Sequence, residues 1–168
     1  MAVQTNVLGA ITAITLDISG LAGDTNLLAG VESTEVAGND AFDYLVNIDP
    51  IAGHLTTAPV IGQLIEVWAW GSDVSLGSIS WDTLVGVSAP RTLSNASAKF
   101  SMCLATASSV SEATANLTYL TRPFTISKCF GGIIPAFWGL FIVHNQAGAL
   151  GAAQTASFSY QTVTPTSV

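Results

Sequence analysis

Charge is what this sequence has least of. Four basic and eleven acidic residues make up 9% of 168, where an ordinary soluble domain carries about 25%. So sparse a charge leaves little to keep an isolated surface hydrated and mutually repulsive. The surface of such a chain is expected to be covered by other protein.

Long apolar runs are missing too, although mean hydropathy is +0.54. The best candidate for one, Cys129 to Val143, is broken by Gly131, Gly132, Pro135 and Gly139 and flanked by Lys128 and His144. A spanning helix takes ~20 mostly apolar residues without such interruptions, so no membrane partner is expected. The opening MAVQTNVLGA has no basic stretch ahead of a compact apolar block and does not read as a secretory signal.

Basic residues are limited to Arg91, Lys99, Arg122 and Lys128, and the net charge is −7. Nucleic-acid binding, which needs Lys and Arg against phosphates, is not expected. His54 and His144 are the only histidines, and neither has a metal-ligand spacing. No glycine-rich loop opens a helix, since Gly131-Gly132 runs into Ile-Ile-Pro. Cys103 and Cys129 are read as buried reduced thiols, because a chain of this length can build a core without a staple. These scarcities predict no enzyme, no cofactor and no metal site.

What is present is strand pattern from end to end. Phe42, Tyr44, Val46 and Ile48 alternate with Asp43, Asn47 and Asp49, the period of a half-buried strand. Ile14, Leu16 and Ile18 alternate likewise, and Leu27 to Val36 reads as a further strand. Leu64 to Trp70 is apolar on both faces except at Glu66, as in a central strand covered on each side. Phe100, Met102 and Leu104 predict another, Leu117 to Ser127 the next, Ala136 to Val143 a second doubly covered one, and Ala156 to Val163 the last. Ser72 to Arg91, with its isolated Trp81, reads as a long loop or short edge strands and a candidate contact surface. A short helix within the Ser/Ala/Thr-rich run from Ser94 to Ala115 is disfavoured by its composition.

The expected fold is therefore all-β: a single-domain, jelly-roll-like β-sandwich of about eight antiparallel strands with long loops, over residues 11–163. Residues 1–10 are read as an arm, and residues 164–168 as a tail that could order on a neighbour in the same way. Candidate interface residues are Met1, Ala2 and Val3 in the arm, with Trp81 and His144.

Carboxylates offer the remaining chemistry. Asp40, Asp43 and Asp49 lie close in sequence, and Glu66 and Asp82 sit among tryptophans, so a hydrolytic pair or a sugar-stacking face using Trp68, Trp70 and Trp81 is conceivable. The structural reading is preferred, since aromatics in sandwiches mostly fill cores. Asn39, Asp40 and Asp43 do not have the spacing of a calcium loop.

Two blocks carry a resemblance: EVWAWGS, from Glu66 to Ser72, and FGGIIPAFWGLFIVHNQAGAL, from Phe130 to Leu150. Together they resemble small virion proteins of tailed bacteriophages, in which a V-W-x-W-G-S-like strand precedes a Phe-Gly-Gly-x-x-Pro-x-x-Trp-Gly block, a polar turn and a last strand carrying Tyr. Glu66, Trp68, Trp70, Gly71, Phe130, Gly131, Gly132, Pro135, Trp138, Gly139, Asn145 and Tyr160 occupy the matching or adjoining places. The resemblance implies a non-enzymatic capsid decoration (cement) protein on the outer surface of the head, made in the bacterial host cytoplasm. Its partners would be the major capsid protein and copies of itself, as a trimer or a dimer. A tail- or fibre-associated module is the alternative it leaves open.

Overall fold

The computed structural model describes residues 4–38, 41–49, 51–52, 57–77, 82–115, 117–151 and 158–167. Met1, Ala2, Val3, Asp40, His54 and Trp81, all singled out above, lie outside them.

Two antiparallel sheets form an all-β sandwich. One contains β1 (Gln4–Leu8), β2 (Thr12–Ile14), β5 (Asp43–Ile48), β11 (Phe124–Thr125) and β13 (Phe158–Ser167). Its order is β1-β13-β5-β11, with β2 also on β13. The other contains β3 (Ala29–Glu32), β4 (Val36–Ala37), β7 (Leu64–Ser72), β8 (Ala89–Thr92), β9 (Cys103–Ser109) and β12 (Phe137–His144). It runs β8-β3-β12-β7-β9, with β4 also on β12. A separate short pairing joins β6 (Ile51–Ala52) to β10 (Thr118–Tyr119).

The alternation that defines each strand decides what it buries. Tyr44, Val46 and Ile48 point inward from β5 and meet Phe158 and Phe124. Ile65, Val67 and Ala69 of β7 and Trp138, Leu140 and Ile142 of β12 face them from the second sheet. The opposite faces of β7 and β12 are not left to solvent. Trp70, Phe141 and Val143 form a second core there with Leu76, Leu84, Leu93 and Met102, all from the excursion between β7 and β9. The long loop is thus a cover for the outer face of the six-stranded sheet, which explains why β7 and β12 are apolar on both faces.

Several expected strands are shorter or displaced. The segment from Leu117 to Ser127 is two two-residue strands, β10 and β11, followed by one helical turn, α1 (Ile126–Cys129). Pro123 between them has no N–H to give a ladder. Leu27–Val36 divides into β3 and β4 because Ser33 intervenes, its Oγ accepting from the Leu140 N–H at 2.9 Å in place of a backbone carbonyl. Phe100 does not share a strand with Met102 and Leu104: Ala96–Ser101 is a 3-10 helix, capped by Asn95, whose side chain accepts from the Ser97 N–H. Phe100 is 88% exposed as a result. Phe42 is exposed rather than inward, since the backbone bends before β5 and Ala41 packs on the core instead. Ile14, Leu16 and Ile18 are all buried, but the ladder stops at Ile14.

Residues of the expected arm and tail pair with each other. β1 lies antiparallel to the end of β13, Gln4 opposite Ser167 and Leu8 opposite Val163. β5 takes the other edge of β13 only from Phe158 to Val163.

Candidate functional site

The two motif blocks meet along one ladder. β7 and β12 pair from Ile65–His144 to Ser72–Phe137, placing Trp70 opposite Gly139 and Gly71 opposite Trp138. Gly71 lies so close to Pro135 that a Cβ there would be 2.4 Å from Pro135 Cγ and 3.1 Å from Phe130 Cζ. Phe130, Pro135 and Gly71 are therefore a single contact. Gly131 and Gly132 take φ of +66° and +91°, the left-handed region that glycine alone enters without strain, and bring the chain from α1 round to β12. Asn145 closes the far end: its side-chain oxygen accepts from the Leu64 N–H at 2.7 Å, and its carbonyl accepts from Gln63 Nε2 at 2.8 Å. Tyr160 reaches across from the other sheet, its ring 5.5 Å from Tyr44 and 5.6 Å from Trp138, both edge-on. Each member thus closes a strand, a turn or a core contact.

Glu66 and Trp68 lie on the outer face of β7. Glu66 Oε2 accepts from Lys99 Nζ at 3.0 Å and from Trp68 Nε1 at 2.8 Å, and the Lys99 ammonium sits 4.9 Å from the Trp68 ring centroid. This ties the 3-10 helix to the sheet. Trp70 is 1% exposed and offers no stacking surface for a sugar.

Two residues that the sequence reading passed over organise the covering loop. Glu32, fully buried in β3, accepts from the Gly86 N–H at 2.6 Å, the Val85 N–H at 3.0 Å and Arg91 Nε at 3.1 Å. Glu35 accepts from Ser75 Oγ at 2.7 Å and the Leu76 N–H at 2.6 Å. Their signal was an acidic residue inside an apolar stretch, the same one that marked Glu66.

Three other carboxylates, those of Asp24, Asp43 and Asp82, accept from backbone N–H groups. Asp24 accepts from the N–H groups of Asn26, Leu28 and Ala29, and these bonds, that of Ala29 foremost, hold its pKa below the usual carboxylate value. Asp43 receives the Ser127 N–H at 3.0 Å, and Asp82 receives that of Ser94 at 2.9 Å. Among the described residues no three His, Cys, Asp or Glu side chains converge as metal ligands.

His144 is in the interior, not at an interface within reach of solvent. Its ring is fully buried, with Nε2 2.8 Å from the Leu21 carbonyl and Nδ1 3.2 Å from the Gln146 N–H. Since a carbonyl can only accept and an N–H only donate, the ring is the neutral Nε2–H tautomer. Burial lowers its pKa, partly opposed by the bond to Leu21.

Open cavities flank the sandwich. One of about 480 Å³ lies between Asp17–Ala22, β3 and Ser88–Thr92. Another, about 310 Å³, is lined by the start of β9, Arg122–Thr125, Lys128 and Cys129. Elsewhere the surface carries large apolar side chains: Ile11, Phe42, Ile61, Phe100, Leu120 and Ile133 are 65% to 88% exposed. No described helix is long and apolar enough to cross a membrane.

Compared with protein-family models, with curated proteins and with solved structures, the chain matches none.

Proposed function

We propose that the chain is a non-enzymatic structural protein of a tailed-phage virion, a decoration protein that covers and stabilises the outer surface of the head. The observation that carries this reading is the surface itself. Among the described residues six large apolar side chains are at least 65% exposed on a chain whose charge is 9% of its residues. Single exposed apolar residues are commonplace, but here little charge surrounds them to keep copies apart in solution. A cement protein turns that composition to use, because lattice contacts bury apolar area and backbone edges, whereas exposed ion pairs contribute only ~0–1 kcal/mol each.

The polar inventory supports the same reading. Glu32, Glu35, Glu66 and Asp43 tie loops and helices to strands, which suits a rigid module better than a catalyst. The partners would be the major capsid protein and copies of the chain at a symmetry position of the lattice.

The test is addition of purified protein to expanded heads lacking it, with sedimentation to measure uptake. Saturable uptake at a fixed ratio to the major capsid protein, with a raised head-disruption temperature, is expected. No uptake by heads, or antibody labelling confined to tails in intact virions, would overturn the head assignment.

A further inference from the structure

Cys103 and Cys129 lie far apart in sequence and belong to different layers: Cys103 opens β9, the edge strand of the six-stranded sheet, and Cys129 ends α1, which follows β11 of the five-stranded sheet. The fold brings these elements together, since α1 packs on β9, and both cysteines line the 310 Å³ cavity between them. Both are free and only partly buried. Cys103 Sγ donates weakly to the Leu104 carbonyl at 3.7 Å. The Cys129 pKa is pushed up to about 12, first by burial and then by the neighbouring Cys103.

We propose that Cys103 and Cys129 form a modification site, a dithiol that a peroxide entering the cavity converts to a disulfide clamping the two sheets together. Cys103 is assigned as the residue that reacts first, because burial favours the protonated thiol at Cys129. The Cys103 thiolate attacks one peroxide oxygen and breaks the O–O bond, giving Cys103 sulfenic acid and, with the thiol proton, one water. The Cys129 sulfur then attacks the Cys103 sulfur, and the S–O bond breaks. The departing hydroxide takes the Cys129 proton as a second water. Two electrons pass from the two thiols to the peroxide, and the only new covalent bond in the protein is S–S.

The bond would join the edge strand of one sheet to the turn that follows a strand of the other, and among the described strands β9 pairs only with β7 and β11 only with β5. A link between sequence-distant segments restricts the unfolded chain and stabilises the fold. This inference does not depend on the proposed virion role.

The experiment is treatment of the purified chain with hydrogen peroxide or diamide, followed by intact-mass measurement, peptide mapping and thermal unfolding. Expected are a mass loss of about 2 Da, the mass of the two hydrogens lost on disulfide formation, a Cys103–Cys129 peptide pair and a Tm higher by about 5–10 °C. Reductant should reverse all three, and Cys103→Ser and Cys129→Ser should each abolish them. The site would be overturned if iodoacetamide labels both thiols while the oxidants yield only separate sulfinic acids or disulfides between molecules. A Tm unchanged by a mapped intramolecular bond would overturn the clamp.

Discussion

Gly139 lies directly opposite Trp70 across the β7–β12 ladder, and the indole occupies the space where a Cβ on Gly139 would be, 2.3 Å from Cζ2. The Trp of one motif block and the Gly of the other are therefore a single packing unit. The same holds for Gly71 and Pro135. The resemblance blocks are two halves of one contact, which accounts for their joint presence in the sequence.

Gly139→Ala should cost about 1–3 kcal/mol through overpacking against a rigid ring, read from urea unfolding followed by tryptophan fluorescence. Trp70→Phe alone should also destabilise by opening a void. Combining it with Gly139→Ala should cost less than the sum of the two, since the smaller ring makes room for the methyl group. Strict additivity would show that the contact is not the source of either effect.

Glu32 is the anchor of the covering loop. Replacing it with Ala leaves the Val85 and Gly86 N–H groups without their acceptor and the Arg91 guanidinium without its partner. A loss of about 3–5 kcal/mol is expected. Glu32→Gln, which keeps one acceptor oxygen, should lose less. Hydrogen exchange by mass spectrometry should show faster exchange at residues 82–92 in the Ala variant, with little change in β5.

His144 makes stability depend on pH with a definite sign. Its folded pKa lies below the ordinary histidine value of 6.5 because burial disfavours the charged ring. Below 6.5 the unfolded chain takes up a proton that the folded chain does not, so unfolding is favoured as pH falls. The contribution is complete above the unfolded pKa, declines as pH drops below it and levels off at the folded pKa. Tm measured from pH 7.5 to 5 should fall in the wild type, and His144→Gln should flatten that slope even if its Tm at pH 7.5 is lower.

Much of the sandwich was legible because period and composition act locally. Tyr44, Val46 and Ile48 had to share a face once extended, and the doubly apolar β7 and β12 could only be central. Local pattern misled where a backbone group was diverted. Phe100 matched the strand period, but Asn95 caps a 3-10 turn there and Lys99 reaches Glu66. Phe124 and Ile126 also alternated, but Pro123 cut the ladder and α1 followed.

The sequence by itself determined the class of fold, its central strands and its shortage of charge, because each follows from residue type and spacing along the chain. Only the tertiary structure decided what meets what. It put the long loop over a second core, gave Glu32 and Glu35 to that loop, hid His144, joined the two terminal segments and brought Cys103 beside Cys129. These outcomes depend on contacts between sequence-distant residues, which are settled when two layers pack and every buried donor must find an acceptor.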